Sequence, residues 1–172
     1  MAERDRGSST HRVESTSAVQ ELLDRSDVAA VLVAYADAVD DRDWDTFESL
    51  FSPDAQIDYS RALGPTGGRG AIRHWMAENL TRERLPHCQH LVVNVSVQVD
   101  ADQASARSAY LNADVVALPD GGPGLLLQGG TYRAELVRDG RWRIRALRAE
   151  LLWHMAGDRA AAQALLGTLG VG

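Results

Sequence analysis

Apolar residues recur at three- and four-residue steps through the first half of the chain and at every second position through the second half. From Ala18 to Asp40 the apolar set is Leu22, Val28, Val31, Leu32, Tyr35 and Val39, the stripe of an amphipathic helix. Ser26 is a candidate break, with Asp27 as N-cap if the helix restarts there. A shorter helix is predicted from Trp44 to Phe51, with Trp44, Phe47, Leu50 and Phe51 on one face, Asp43 as its cap and Pro53 as its stop. Ala55 to Tyr59 reads as a short strand. The stretch Gly64, Pro65, Gly67, Gly68, Gly70 reads as a loop before a third helix from about Arg69 to Leu80.

Beyond His90 the period becomes two. Leu91, Val93, Val95, Val97 and Val99 alternate with His90, Asn94, Ser96 and Gln98, a long strand ending at Asp100-Ala101-Asp102. Three more strands are predicted over Ala104 to Leu118, Leu125 to Arg138 and Arg141 to about His154, with Asp139-Gly140 a tight hairpin between the last two. In the final strand the apolar set shifts from Trp142 and Ile144 to Leu147, Ala149, Leu151 and Trp153. That one-residue change of phase predicts a β-bulge near Ala146 and Leu147. Gly129-Gly130 suggests another bend. Three helices followed by long antiparallel strands make an α+β domain, and a strongly curved sheet wrapped on helices leaves a conical cavity between them.

The 172 residues, 45% of them hydrophobic, are enough for one globular domain without disulfides or a structural metal. Residues 1–17 are polar and aperiodic, a predicted disordered tail; residues 18–156 form the domain; residues 157–172, rich in Ala and Leu, are a closing helix or tail. All 18 basic residues are arginine, which excludes lysine Schiff bases, pyridoxal-phosphate anchoring and phosphate-loop chemistry. The glycines around Pro123 lead into no helix, so a nucleotide-binding reading also fails. A net charge of −6 argues against nucleic acid as a partner. No run of 18 apolar residues and no signal-peptide core is found, so no membrane partner and a cytoplasmic location are expected.

Among groups that could do chemistry, Asp40 stands at the end of the first helix on the flank of the Leu32 face, where it can turn inward while Asp41 and Asp43 face water. The alternative is that Asp37, Asp40, Asp41 and Asp43 are a solvated capping run. His90 opens the long strand and could serve as a general base; a strand-end histidine bonded to backbone or water is the bland alternative. Simple alternation puts His90 on the face of Asn94, Ser96 and Gln98. Either that polar face lines the cavity here or a bulge intervenes. His87 and His90 would fall on opposite faces of a strand with no acidic or cysteine ligand beside them, so no metal is expected. Cys88, the single cysteine, reads as a small buried residue. Tyr35, Tyr59, Tyr110 and Tyr132 are by default packed rings with hydroxyls at the core edge, of which a minority could donate to a substrate oxygen. Trp75, after the glycine-rich loop, suits a cavity lid, and Tyr110, Asn112 and Thr131 on the middle strands are further candidate substrate contacts. Asp114 and Arg148 could border the cavity but read as surface charges. A hydrophobic sheet face with the row Arg141, Arg143, Arg145 suggests a surface for a homo-dimer or higher homo-oligomer, or simply a solvated face.

The strings DVAAVLVAYADAVDDRDWDTFESLFSPDAQIDY, HCQHLVVNVSV and GGTYRAELVRDGRWRIRAL resemble the SnoaL-like branch of the nuclear transport factor 2-like superfamily over about residues 18–155. The resemblance implies a cone of three N-terminal helices on a curved, mainly antiparallel sheet. Within that superfamily the chain is most similar in motif to the scytalone dehydratase, hexachlorocyclohexane dehydrochlorinase and bile acid 7α-dehydratase enzymes. These share an aspartate after the first helix, here Asp40 in VDDRDW, and a histidine opening a long strand, here His90 in HCQHL. The resemblance implies a buried dyad whose histidine removes a proton while hydroxide or halide leaves. Tyr35 matches a tyrosine of the bile acid dehydratase and Tyr59, in QIDY, one of scytalone dehydratase. Where scytalone dehydratase carries a second histidine and an asparagine, this chain offers Ala117 or a neighbour and Thr131, so substrate identity does not transfer. The expected function is a cofactor-independent lyase acting by elimination on a small hydrophobic, cyclic or polyketide-like substrate. The alternatives are a cyclase or isomerase of the same fold, or a ligand-binding domain without catalysis.

Overall fold

The computed structural model describes residues 6–118 and 121–157, with side chains from residue 17 onward; the closing segment expected after Gly157 lies outside the described residues. Helix α1 spans Arg6–Asp41 without a break at Ser26. It therefore extends back into the stretch expected to be a disordered tail. No glycine or proline occurs between Ser8 and Asp41, so nothing in the sequence interrupts the hydrogen-bond ladder. Leu22 is exposed, and the packed stripe begins with Val28 and continues through Leu32, Tyr35 and Val39. Arg42, in the left-handed region with φ 58°, ends α1. Its N–H donates to the Val39 carbonyl, and that of Asp43 to Ala38. The short α2, Trp44–Ser49, is capped by the Asp43 carboxylate, which accepts from the Thr46 N–H.

Strand β1 begins at Phe51 and runs to Arg61, longer than expected, so Pro53 sits inside a strand and does not stop the helix. The proline is tolerated because it lies in the irregular stretch between Phe51 and Gln56 of the pairing with the final strand, and because among the described residues the other side of β1 is paired only at Gln56, Ile57 and Asp58, by β2, Thr66–Gly68. After α3, Arg69–Asn79, come β3, His87–Asp100, β4, Gln103–Ala117, β5, Pro123–Asp139, and β6, Arg141–Ala156. The sheet order is β2-β1-β6-β5-β4-β3. Every pairing is antiparallel except β1 with β6.

Besides irregularities in the β1–β6 pairing, three bulges interrupt the antiparallel pairings of β3 to β6 among the described residues and curve the sheet. Opposite Glu135 and Leu136 the register passes from Ala146 to Ile144, leaving Arg145 extra, one residue before the expected place. This keeps Trp142 and Ile144 before it, and Leu147 and Ala149 after it, all buried on one face. Opposite Gly129-Gly130 a second extra residue, Leu152, turns Trp153 outward, where it is 47% exposed and does not join the core as its phase suggested. The third lies between Val93 and Ser96, with Asn94 at φ 54°. It resolves the question of the histidine: Cys88, His90 and Val92 precede the bulge on the same face that Val95, Val97 and Val99 occupy after it.

Leu32, Val39, Phe47, Phe51, Ile57, Ile72, Leu136, Ile144 and Leu147 fill the core between the helices and the concave face of the sheet. The opposite face carries the exposed Leu91, Val93, Leu125, Trp153 and Met155. The arginine row of β6 is satisfied within the chain: Arg141 donates to the Ser49 carbonyl, Arg143 pairs with Asp139, and Arg145 with Glu135. No helix among the described residues is long and apolar enough to cross a membrane.

Candidate active site

The last turn of α1 packs against the first residues of β3. The Asp40 carboxylate grips His90 twice, through Oδ1 at 2.6 Å from Nδ1 and through Oδ2, which accepts the His90 backbone N–H at 2.8 Å. A carboxylate that accepts from Nδ1 requires the proton on that nitrogen, so Nε2 is left free to exchange one. The grip depends on where α1 stops. Arg42, just beyond Asp40, donates from its guanidinium to the carbonyls of Asp40, Leu80 and Leu85 at 2.7, 3.0 and 2.6 Å. It thereby ties the helix end to the segment that leads into β3.

Both dyad side chains are largely buried, His90 14% and Asp40 20% exposed. Burial alone would depress the imidazole's pKa, but the bonds to Asp40 and Cys88, with the charges of Asp114 and Asp40, outweigh it and raise His90 to about 9. Burial of Asp40 is likewise overcome by His90, so its carboxyl stays below the usual value. The resting pair at neutral pH is imidazolium against carboxylate.

Two further groups complete this end of the site, and alternation along β3 is the signal that could have found the first of them. Cys88, two residues before His90, shares its face and lies beside both members of the dyad, contrary to the expectation that no cysteine or acidic ligand stands by the histidine. Asp114 is the direct cross-strand partner of Cys88, as Asn112 is of His90. Expected at the surface, Asp114 is 6% exposed. Burial, with the nearby Asp40 charge, raises its pKa to about 6 against the opposing pull of His90 and Arg42.

A cleft of about 90 Å³, which reaches the dyad through Asn112, the cross-strand partner of His90, is lined by Tyr35, Tyr59, Tyr110, Tyr132, Trp75 and Asn112, among others, but not by Asp40 or His90 themselves. The Tyr35 and Tyr59 hydroxyls are 2.7 Å apart. Desolvation raises the pKa of both, so the hydroxyls stay protonated and act as donors. Tyr110 stacks on Tyr132 with ring centroids 4.5 Å apart. That stack needs Gly130: a Cβ there would collide with the Tyr110 hydroxyl and the Glu150 carbonyl. Along the inward face of β4, Ser108, Asn112 and Asp114 each bury a side-chain oxygen that has no hydrogen-bond partner among the described residues. Unmet acceptors of this kind cost about 1–3 kcal/mol each.

Of the residues singled out from the sequence, Asp40 and His90 touch each other, and Tyr35, Tyr59, Trp75, Tyr110 and Asn112 line the adjoining cleft. Thr131 is buried but does not line it; its neighbour Tyr132 does, and in a strand consecutive side chains point to opposite faces. Arg148 is exposed and paired with Asp58 on the other side of the sheet. Cys88, Asp114, Tyr132 and Gln128 were missed as site residues.

Against known proteins, the model of the SnoaL-like domain matches residues 20–148. An uncharacterized protein of Mycobacterium tuberculosis is 40% identical over 104 residues, 60% of this chain and 69% of that one. Among solved structures, a proposed aromatic ring hydroxylase of Novosphingobium aromaticivorans superposes with TM-score 0.71 at 24% identity, covering 86% of this chain and 97% of that one. A proposed scytalone dehydratase of the same species gives 0.66 at 20% identity, over 81% and 92%. A type 2 hexachlorocyclohexane dehydrochlorinase gives 0.64 at 19%, over 86% and 92%. At these identities the structural likeness speaks for the fold, whereas the family match spans most of the chain, the helix carrying Asp40 and the strand carrying His90 included. This chain belongs to the SnoaL-like domain family.

Proposed function

We propose that the protein is a cofactor-independent lyase that eliminates water, or a comparable leaving group, from a small hydrophobic cyclic or polyketide-like molecule. The observation that carries this reading is the double grip of Asp40 on His90 beside a tyrosine-lined cleft. Neutral His90 takes a proton through Nε2, and Asp40 holds the ring's tautomer and stabilises the cation that forms. The C–H bond breaks, its electrons form the new double bond, and the bond to the leaving oxygen breaks in turn. The proton gained by His90 allows hydroxide to depart as water. The Tyr35–Tyr59 pair supplies a hydroxyl donor to the oxygen that gains charge. Fold likeness to a proposed dehydratase and to a dehydrochlorinase is consistent with elimination.

The cleft volume, about 90 Å³, is well below the ~300–1,000 Å³ of sites that enclose drug-sized ligands. The substrate is therefore small, or it displaces Trp75 and Met76 of α3 on entry. The test is to incubate the protein with hydroxylated cyclic ketones and follow product mass. Loss of one water, abolished by His90→Ala, is expected. A product of unchanged mass would replace elimination with isomerisation or cyclisation, and activity untouched by His90→Ala would refute the dyad's role.

A further inference from the structure

The group of side chains around His90 has a donor set that proton transfer alone does not use. One ligand atom each from Asp40, Cys88 and His90 lies within 4.8 Å of the other two, and all three residues are partly buried. Asp114, cross-strand from Cys88, is 6% exposed, and its Oδ1 has no hydrogen-bond partner among the described residues. Directly opposed residues on adjacent strands hold their Cβ atoms about 4.5–5.5 Å apart on one face. Asp114 therefore stands beside Cys88 on the same face, outside the three-residue group, and its charge is felt by His90 and Asp40.

We infer that Asp40, Cys88 and His90 form a three-ligand binding site for a thiophilic divalent transition metal of the zinc type, with the buried Asp114 carboxylate as a neighbouring negative charge. Imidazole, thiolate and carboxylate are the ligands such ions take, in four-coordinate arrangements. A hard ion such as magnesium or calcium would not select a sulfur donor. Binding displaces two protons, one from the Cys88 thiol and one from His90, and forms metal–sulfur, metal–nitrogen and metal–oxygen bonds without oxidation or reduction. Asp40 Oδ1 and His90 Nδ1, now 2.6 Å apart, must separate to roughly 3.3 Å, the edge of a tetrahedron with bonds of about 2.0–2.1 Å. Asp40 can make that movement while its Oδ2 stays anchored on the His90 backbone N–H. The bound metal would replace the Nδ1–H···Asp40 contact that prepares the base, so occupancy and elimination are mutually exclusive. Metal binding itself does not rest on the lyase reading.

The experiment is a titration of chelator-treated, full-length protein with Co²⁺, followed by competition with Zn²⁺, in the absence of any substrate. A saturable 1:1 spectrum with tetrahedral d–d bands and a thiolate-to-cobalt charge-transfer band, bleached by Zn²⁺, is expected. Cys88→Ser should erase the charge-transfer band and weaken binding at least about tenfold, and Asp114→Asn should weaken it by a smaller factor. His87→Ala, on the exposed side of the strand, should leave the titration unchanged. Circular dichroism of each variant separates lost ligands from lost fold. The inference falls if Co²⁺ gives no saturable spectrum with wild-type protein, or if a folded Cys88→Ser variant binds as wild type. Metal binding by a protein inert toward every hydroxylated ketone would overturn the lyase proposal alone; water elimination without a Co²⁺ spectrum would overturn this one alone.

Discussion

Replacing Asp40 by asparagine isolates the electrostatic half of the dyad, because the amide keeps the shape and can still accept the His90 backbone N–H while the charge disappears. In the native protein His90 is raised from 6.5 to about 9 despite burial that pulls the other way. The net shift corresponds to roughly 3 kcal/mol at 1.36 kcal/mol per pKa unit. Without the Asp40 charge, burial remains and the dominant raising partner does not, so His90 in Asp40→Asn should titrate at or below 6.5. The stability consequence has a definite sign. A folded pKa above the unfolded value stabilises the protein fully below pH about 6.5, and that contribution is lost as pH rises through about 9. The melting temperature of Asp40→Asn should therefore fall furthest below wild type near pH 6 and approach it above pH 9. The direct assay is an NMR titration of the ring protons of the five histidines, with His90 assigned by its absence in His90→Gln. A wild-type His90 midpoint near 6.5, or a midpoint that Asp40→Asn leaves in place, would refute the reasoning.

Other outcomes follow from the same geometry. If His90 is the base, kcat/KM for elimination should rise with pH toward a plateau near pH 9, and a rate that declines over that range would count against it. Tyr35→Phe and Tyr59→Phe should each lower kcat by about 10²-fold or more, the scale of losing one oxyanion donor; an effect confined to KM would assign the pair to binding. Gly130→Ala should destabilise by about 1–3 kcal/mol, since the added Cβ overlaps the Tyr110 hydroxyl and the Glu150 carbonyl, measurable by urea unfolding. Asn94→Val forces a β-branched residue to φ 54° and should cost about 1–2 kcal/mol. If the bulge slips instead, the imidazole signal of His90 will lose its high pKa.

Much of the frame could be read from the chain itself, because helix and strand periods are local properties of the backbone. The apolar steps of Val28, Leu32, Tyr35 and Val39 located the buried side of α1. The phase change around Ala146 located the Arg145 bulge to within one residue, since only an inserted residue keeps Ile144 and Leu147 on one face. Asp43 as the cap of α2 was equally legible, because its partner, the Thr46 N–H, is three residues away. Where local rules failed, the deciding term came from elsewhere in the fold. Pro53 lies within a strand because, among the described residues, the adjoining edge is unpaired there and the pairing with β6 is irregular, and Trp153 turned outward because of a second bulge opposite Gly129-Gly130.

The site divides in the same way. Its residue types, and the likeness that pairs Asp40 with His90, are in the sequence. The inward turn of His90 is not, because it depends on one extra residue at Asn94, and strict alternation of the strand without that residue put His90 with the polar side chains. Nor could the sequence bring in Asp114, which lies 24 positions from His90 and faces Cys88 only through the register of β3 on β4. What the chain determined alone were the elements and the candidate chemistry, both set by interactions within a few residues. Tertiary structure alone decided the microenvironment: which carboxylates lose water, which imidazole gains a proton, and which tyrosines share a cleft. Desolvation and charge coupling depend on distance in space, and residues 50 apart, as Asp40 and His90 are, meet only when the sheet closes on the helix.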